Sequence, residues 1–362
     1  MTNTNFQSDR KISYMPQLDS LRTFAVLFVL IDHWIPGEQW FKIFRFGMVG
    51  VTMFFVLSGF LITQILLQSR KDNELNGRNN FHSIKQFYIR RTLRIFPVYY
   101  VTLFFLWIFN IQSIRDKIIW FLLYASNIYF YEYQKFDGSL SHLWTLAVEE
   151  QFYIIWPFII LFTPSKYLFK TIIAITVFGI FFSPLSLYFS DVVCYSTDFL
   201  DFLTPSCMDS FGLGAILAYF RVNRNEMFKF EGRNFYIIFS AVILMVFVNF
   251  YTENIFAKLF YNFNISLLSL FLISRSSIGF KGLTGKILDN KVLIYLGKIS
   301  YGLYLFHNFI PLIWKSLNLP VINNVSIRFI IYFLVLTALA SLSWYILEKP
   351  VNSLKKRFVY SG

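Results

Sequence analysis

The chain is short of charge. Of its 362 residues only 15% are Asp, Glu, Lys or Arg, while 56% are apolar and Phe alone contributes 46. A soluble fold of this size would lack the polar side chains to cover its own surface, which excludes a water-soluble globule. No gap of soluble-domain length separates the apolar segments that begin at Leu18 and recur to Leu347. No small-residue cleavage site follows the first apolar run, although Arg10 and Lys11 precede it, so that run reads as an uncleaved first helix rather than a removable signal. Cysteine is nearly absent. Cys194 and Cys207 form one disulfide if their compartment is oxidising, and two free thiols are the equal alternative.

What remains is an all-α, polytopic membrane helix bundle. Apolar runs able to cross about 30 Å of hydrocarbon fall at Leu18 to Trp34, Gly47 to Gln68, Ile95 to Asn110, Leu143 to Phe162, Leu168 to Phe189, Pro205 to Phe220, Phe235 to Tyr251, Leu259 to Ser274, Val292 to Trp314 and Phe329 to Leu347. That makes about ten transmembrane helices. An eleventh run, Ile118 to Tyr131, is short and broken by Ser126 and Asn127. If it crossed, the basic loop containing Arg221, Arg224, Lys229 and Arg233 would face outward, against the positive-inside tendency. With ten crossings the clusters Arg70 to Arg94, Lys166 with Lys170, the Arg221 loop, Arg275 to Lys291 and the tail Lys355, Lys356, Arg357 share one face with the N-terminus. Both termini are then cytoplasmic, and the net charge of +13 is accounted for by topology and anionic lipid headgroups, with no nucleic acid needed. Residues 1–362 read as a single membrane domain, with a core of about 10–350, a cytoplasmic tail at 351–362 and no soluble domain appended.

His33 is the chemical feature that most needs a reason. It lies with Asp32 at the end of an apolar helix, eleven positions after Arg22. On a helix that spacing is three turns plus about twenty degrees, so Arg22 and His33 share a face some ~16 Å apart. Ionisable groups inside a bilayer usually mark a site or a pathway. Asp32 projects about a hundred degrees away from His33, and Asp19, one turn before Arg22, is placed to be the arginine's ion partner. The basic run Arg90, Arg91, Arg94 puts Arg91 and Arg94 on one face, where two guanidiniums can clamp an anionic, phosphate-bearing group; the plain alternative is a basic cytoplasmic helix end. Downstream, Glu149 and Glu150 are adjacent carboxylates on an apolar helix, with Tyr153 on the Glu149 face. Glu149 could bind a sugar hydroxyl or orient a histidine, or form a structural bridge to a cation such as Lys298. Small residues at Gly47, Gly50, Ser58 and Gly59, and again at Gly297, Ser300 and Gly302, read as close helix approach. His307 is a second intramembrane imidazole, of packing or of the site.

These pieces stand in a recognisable order. Leu18 to Ala25 leading to His33, Phe54 to Phe60 (FFVLSGF), Arg91 to Pro97 (RTLRIFP), His142 to Tyr153 (HLWTLAVEEQFY), Ser300 to His307 (SYGLYLFH) and Glu348, Lys349, Pro350 together resemble the integral-membrane acyltransferase family 3 over nearly the whole chain. The resemblance implies a ten-helix O-acyltransferase in a bacterial plasma (inner) membrane. It would take an acetyl or other short acyl group from acetyl-CoA, as substrate rather than bound cofactor, and pass it to a hydroxyl of a cell-surface glycan such as O-antigen, capsule or exopolysaccharide. His33 matches the family's catalytic histidine, and Arg91 and Arg94 match its donor-binding pair. On this reading Glu149 joins His33 as catalytic, Arg22 joins the arginine pair on the coenzyme, and His142, Trp144, Glu150, Tyr153 and His307 contact the acceptor; no metal is required. The competing class is a polytopic transporter or flippase of an anionic lipid-linked glycan, which would also place His, Asp and Glu at mid-membrane. The polar groups cluster in the first, second, fourth and ninth runs rather than in matching halves, which disfavours an inverted repeat.

Overall fold

The computed structural model describes residues 14–35, 45–193, 197–223, 237, 239–240, 242–245 and 255–358. Among these the regular structure is entirely helical. In chain order the helices are α1 (Pro16–Trp34), α2 (Phe46–Asn76), α3 (Asn80–Ile108), α4 (Ile118–Leu122), α5 (Ser126–Tyr133), α6 (Trp144–Phe162), α7 (Ser165–Val193), α8 (Met208–Val222), α9 (Ile255–Ile278), α10 (Gly282–Leu288), α11 (Lys291–Lys298), α12 (Ser300–Phe306), α13 (Phe309–Ser316), α14 (Val325–Ser343) and α15 (Lys349–Ser353).

Five helical stretches among the described residues are long and apolar enough to cross a membrane: Phe46–Asn76, Asn80–Ile108, Gly138–Phe162, Ser165–Phe182 and Val325–Arg357. One bent helix pair, Tyr261–Ile278 with Gly282–Leu288 at 89°, is a sixth candidate if it counts as one span. The expected count of ten is therefore met only in part, for reasons visible in the sequence. α1 is helical where expected but carries Asp19, Arg22 and Asp32 in nineteen residues. α8 has only fifteen residues. The run from Val292 to Trp314 divides into the short helices α11, α12 and α13, and most of Phe235 to Tyr251 lies outside the described residues. The run at Ile118 to Tyr131 holds no helix long and apolar enough to cross a membrane. It folds as α4 and α5 between short 3₁₀ turns, and Lys117 Nζ pairs with Asp137 Oδ2 across it at 2.6 Å.

α1 is the helix the others position. On one side Gly50 of α2 meets it: a Cβ at that position would run into the Ala25 carbonyl oxygen. On the other, Gly297 of α11 sits against the Asp19 carbonyl in the same way. Small residues thus let three backbones approach closely, which is how helices gain dispersion contact where lipid supplies no hydrophobic drive. Polar side chains fix the register. Ser20 Oγ donates to the Leu288 carbonyl at 2.5 Å, Thr23 Oγ1 to the Leu293 carbonyl at 2.6 Å, and Gln17 exchanges hydrogen bonds with the Phe280 main chain. α2 packs in turn on α8 through Gly59 and Gly214.

Several of the cations expected on the cytoplasmic side hold helix ends. Arg70 donates to the carbonyls of Ile160 and Thr163 at the end of α6, at 2.8 and 2.7 Å, where the last carbonyls lack intrahelical donors. Arg90 does the same for Lys355 and Phe358. Cys207 is buried, its thiol facing the Asp201 carbonyl at 3.7 Å; its expected partner Cys194 lies outside the described residues.

Candidate active site

A cavity of about 760 Å³, counted out to its open mouth, lies between α1, α2, α3, α6 and α12. Arg22, Arg91 and Arg94 line it together with Ser58, Glu149, Tyr153, Tyr301 and Tyr304. The helical spacing explains the arginines: Arg91 and Arg94 are one turn apart on α3, and Arg22 reaches the same space from α1. Arg22 is ion-paired with Asp19, which also accepts a hydrogen bond from Tyr14 at 2.6 Å. Among the described ion pairs none involves Arg91 or Arg94. Three guanidiniums around one space repel one another unless an anion sits between them, and their planar forks match carboxylate or phosphate oxygens.

Glu149 forms the opposite wall. It accepts hydrogen bonds from Ser58 and from Tyr153 Oη, the latter at 3.0 Å, and Ser58 Oγ lies 3.1 Å from Tyr153 Oη. The expected bridge to Lys298 is not formed; Lys298 lies over the Tyr14 ring. Arg91 covers the Tyr153 ring, a cation on an aromatic face.

Thr145 and Tyr304 also line the cavity. Thr145 Oγ1 donates to Tyr304 Oη at 2.7 Å, and Tyr304 Oη donates to the His142 carbonyl at 3.2 Å. The Tyr304 ring adjoins two histidine rings, His142 at 5.8 Å and His307 at 5.4 Å, and His33 joins them through His307. His33 Nδ1 is 2.7 Å from His307 Nε2, and the His142 ring meets the His307 ring edge to face at 4.7 Å. His33 is exposed, whereas His142 and His307 are buried. Asp32 does not pair with His33. It lies instead against Gly47 in the first turn of α2, where a Cβ would come within 2.7 Å of its Oδ2 and where a carboxylate complements the helix dipole. Among the described residues no group of three or more His, Cys, Asp or Glu side chains is disposed to hold a metal ion.

The sequence-based candidates thus separate into three groups. Arg22, Arg91, Arg94, Glu149 and Tyr153 share the cavity. His33 and His307 meet one layer away, and His307, not Glu149, is the ring partner of His33. The other three acceptor-contact candidates are elsewhere. His142 has both nitrogens occupied, by the Leu305 carbonyl at 3.0 Å and the Asn308 amide at 3.1 Å. Trp144 is core, packed between Phe55 and Phe202. Glu150 is buried off the cavity wall with one carboxylate oxygen lacking a hydrogen-bond partner. An acceptor contact is not carried forward for these three. Ser58, Thr145 and Tyr304, which also line the cavity, were read as packing residues or passed over, although each lies inside one of the motifs quoted above.

The profile of an acyltransferase domain matches residues 15–348. The chain belongs to acyltransferase family 3. Among relatives of this family, O-acetyltransferase OatA of Staphylococcus aureus is 32% identical over 376 residues, covering 95% of this chain and 58% of its own length. YrhL of Bacillus subtilis, provisionally named a peptidoglycan O-acetyltransferase, is 31% identical over 94% of this chain and 55% of its own length. A Staphylococcus aureus protein from strain N315, provisionally named an O-acetyltransferase, is 32% identical over 83% of this chain and 51% of its own. The chain spans about half the length of the curated relatives it matches. No solved structure matches it.

Proposed function

We propose that this family 3 domain transfers an acetyl or other short acyl group from a coenzyme A thioester to a hydroxyl of a cell-surface glycan, working as a ten-span bacterial inner-membrane protein with both termini in the cytoplasm. The observation that carries the proposal is the convergence of Arg22, Arg91 and Arg94 on one cavity, of which Tyr304, another lining residue, adjoins the rings of His142 and His307. Coenzyme A is anionic at one end and carries its acyl group on a slender arm at the other. The arginines hold the phosphates, in bidentate geometry where the forks allow, and the arm runs toward His33.

His33 then either removes the proton of the attacking hydroxyl or accepts the acyl group and passes it on. Glu149, Ser58 and Tyr153 form a polar wall alongside. In the base route Glu149 takes no proton from His33; its part is to hold Ser58 and Tyr153 in place beside the donor. Peptidoglycan, named for the Bacillus subtilis relative, joins O-antigen, capsule and exopolysaccharide as an acceptor class to test.

The test is transfer of radiolabel from [acetyl]-CoA to surface glycan in membranes bearing the wild-type chain, with His33→Ala at matched expression beside it. Label that depends on His33 supports the proposal. Equal label from both chains would remove it, and transport of a lipid-linked glycan without acyl transfer would favour the transporter class instead.

A further inference from the structure

Resting on that reading, we propose that His307 is a positioning residue for His33: it holds the ring as the Nδ1–H tautomer, so that the free lone pair is the one on Nε2. The inference follows from hydrogen-bond polarity along a chain of three groups. His307 Nδ1 lies 2.5 Å from the Tyr304 carbonyl oxygen. A carbonyl only accepts, so this nitrogen carries a proton. The carbonyl is available because Tyr304 stands in the last turn of α12, where main-chain oxygens have no intrahelical donor.

His307 is fully buried, and no acidic side chain is hydrogen-bonded to it among the described residues. A second proton would place an unpaired cation there, beside the rings of His142 and His33. With His307 neutral, Nε2 is a bare acceptor, and His33 Nδ1 at 2.7 Å must be the donor.

The ring geometry agrees. The two planes are within 2° of parallel and their centroids are 4.9 Å apart. An N···N contact of 2.7 Å is shorter than a face-to-face stack allows, so the rings lie edge to edge in nearly one plane, with an N–H aimed at a lone pair. Trp34 Nε1 donates to the His307 carbonyl at 3.3 Å, tying the main chain of His307 to α1 next to His33 itself. The charged and titratable groups around the pair are Asp32 on α1, His142 from the turn before α6 and Tyr304 on α12.

The consequence is chemical. As the acceptor hydroxyl oxygen bonds to the thioester carbonyl carbon, its proton passes to His33 Nε2. Collapse of the adduct breaks the C–S bond, and that proton goes from Nε2 to the departing thiolate sulfur, restoring the neutral ring. The transient imidazolium is stabilised through Nδ1–H by the His307 lone pair, in the place a carboxylate fills in many hydrolases.

The experiment is ¹⁵N spectroscopy of the full chain in lipid nanodiscs with labelled histidine, of which there are only four; single substitutions assign the signals. Neutral His33 is expected as the Nδ1–H tautomer, and an Nε2–H tautomer would overturn the inference. Two variants give a second readout. His307→Gln keeps an acceptor oxygen near the position of Nε2 and should retain kcat within about 10-fold, whereas His307→Leu should lose on the order of 10²-fold in kcat with the acetyl-CoA KM unchanged. Equal losses in both variants, or a loss confined to KM, would reduce His307 to packing. The tautomer found as expected in a chain that transfers no acyl group would leave the positioning intact and defeat the functional proposal.

Discussion

The guanidinium carbon of Arg91 stands 4.9 Å from the centroid of the Tyr153 ring, and the hydroxyl of the same ring is hydrogen-bonded to Glu149. One tyrosine therefore joins the cationic wall of the cavity to its carboxylate wall. Loss of the ring should be felt on both. Tyr153→Phe keeps the cation–π face but frees Glu149 from one donor, while Tyr153→Leu removes both contacts. We expect Tyr153→Leu to raise the donor KM more than Tyr153→Phe, and equal values in steady-state kinetics would separate the ring from donor binding.

Replacing His33 with Ala should abolish acyl transfer, by 10²-fold or more on the general scale of lost acid–base catalysis, while the chain still inserts and elutes as a folded species. Turnover near the wild-type value would move the chemistry to another residue.

The arginines divide by what they touch. Arg91 and Arg94 face the cavity without ion partners among the described residues, while Arg90 donates to the carbonyls of Lys355 and Phe358. Arg91→Gln with Arg94→Gln should raise the acetyl-CoA KM by 10-fold or more, each lost charged hydrogen bond to phosphate being worth about 1.5–3 kcal/mol. Arg90→Gln should leave that KM unchanged and loosen the C-terminal segment to protease. A donor KM indifferent to the double change would return Arg91 and Arg94 to a purely topological role.

Gly297 is the tightest test of the packing. With the Asp19 backbone where its Cβ would stand, Gly297→Val forces α11 away from α1. Overpacking of this kind costs typically 1–3 kcal/mol, so the melting temperature in detergent should fall well below that of Gly77→Val, whose α2 cap has nothing within 4 Å but a φ of +61°. If Gly297→Val melts like the wild-type chain, the close approach is not maintained in the membrane.

Topology can be read by labelling. A cysteine at Ser113 should react with an impermeant reagent applied outside the cell, and one at Asn223 only after permeabilisation. The reverse pattern would require the crossings to be recounted.

How much of this was legible beforehand varies with the range of the interaction. The apolar stretches of α2, α3, α6 and α14 follow from hydropathy, though α3 begins at Asn80, ahead of the expected run, and the Asp19–Arg22 pair follows from one-turn spacing. The gathering of Arg22 with Arg91 and Arg94 was foreseen as a shared role, though only packing brings α1 and α3 to one cavity. The His33–His307 contact joins residues 274 positions apart. Hydropathy carries no trace of such a pairing, since each histidine sits in its own apolar run and the partner is chosen by helix packing. The same limit hides that Glu149 bonds Ser58 and Tyr153 rather than His33, and that the bundle packs the Trp144 and His142 rings against neighbours of its own. Ser58 looked like a spacer because small residues in membrane helices usually are.

Arg22 and His33 are parts of one unbroken helix, pinned on both flanks, so the ~16 Å of rise between them is not adjustable. α1 is in effect a gauge. On the proposed reading, a carrier that rests its phosphates at one mark and offers its carbonyl at the other is selected by its reach before any chemical detail of its headgroup is read, and a clipped thioester with the same acetyl group but no long arm should fall short of the second mark.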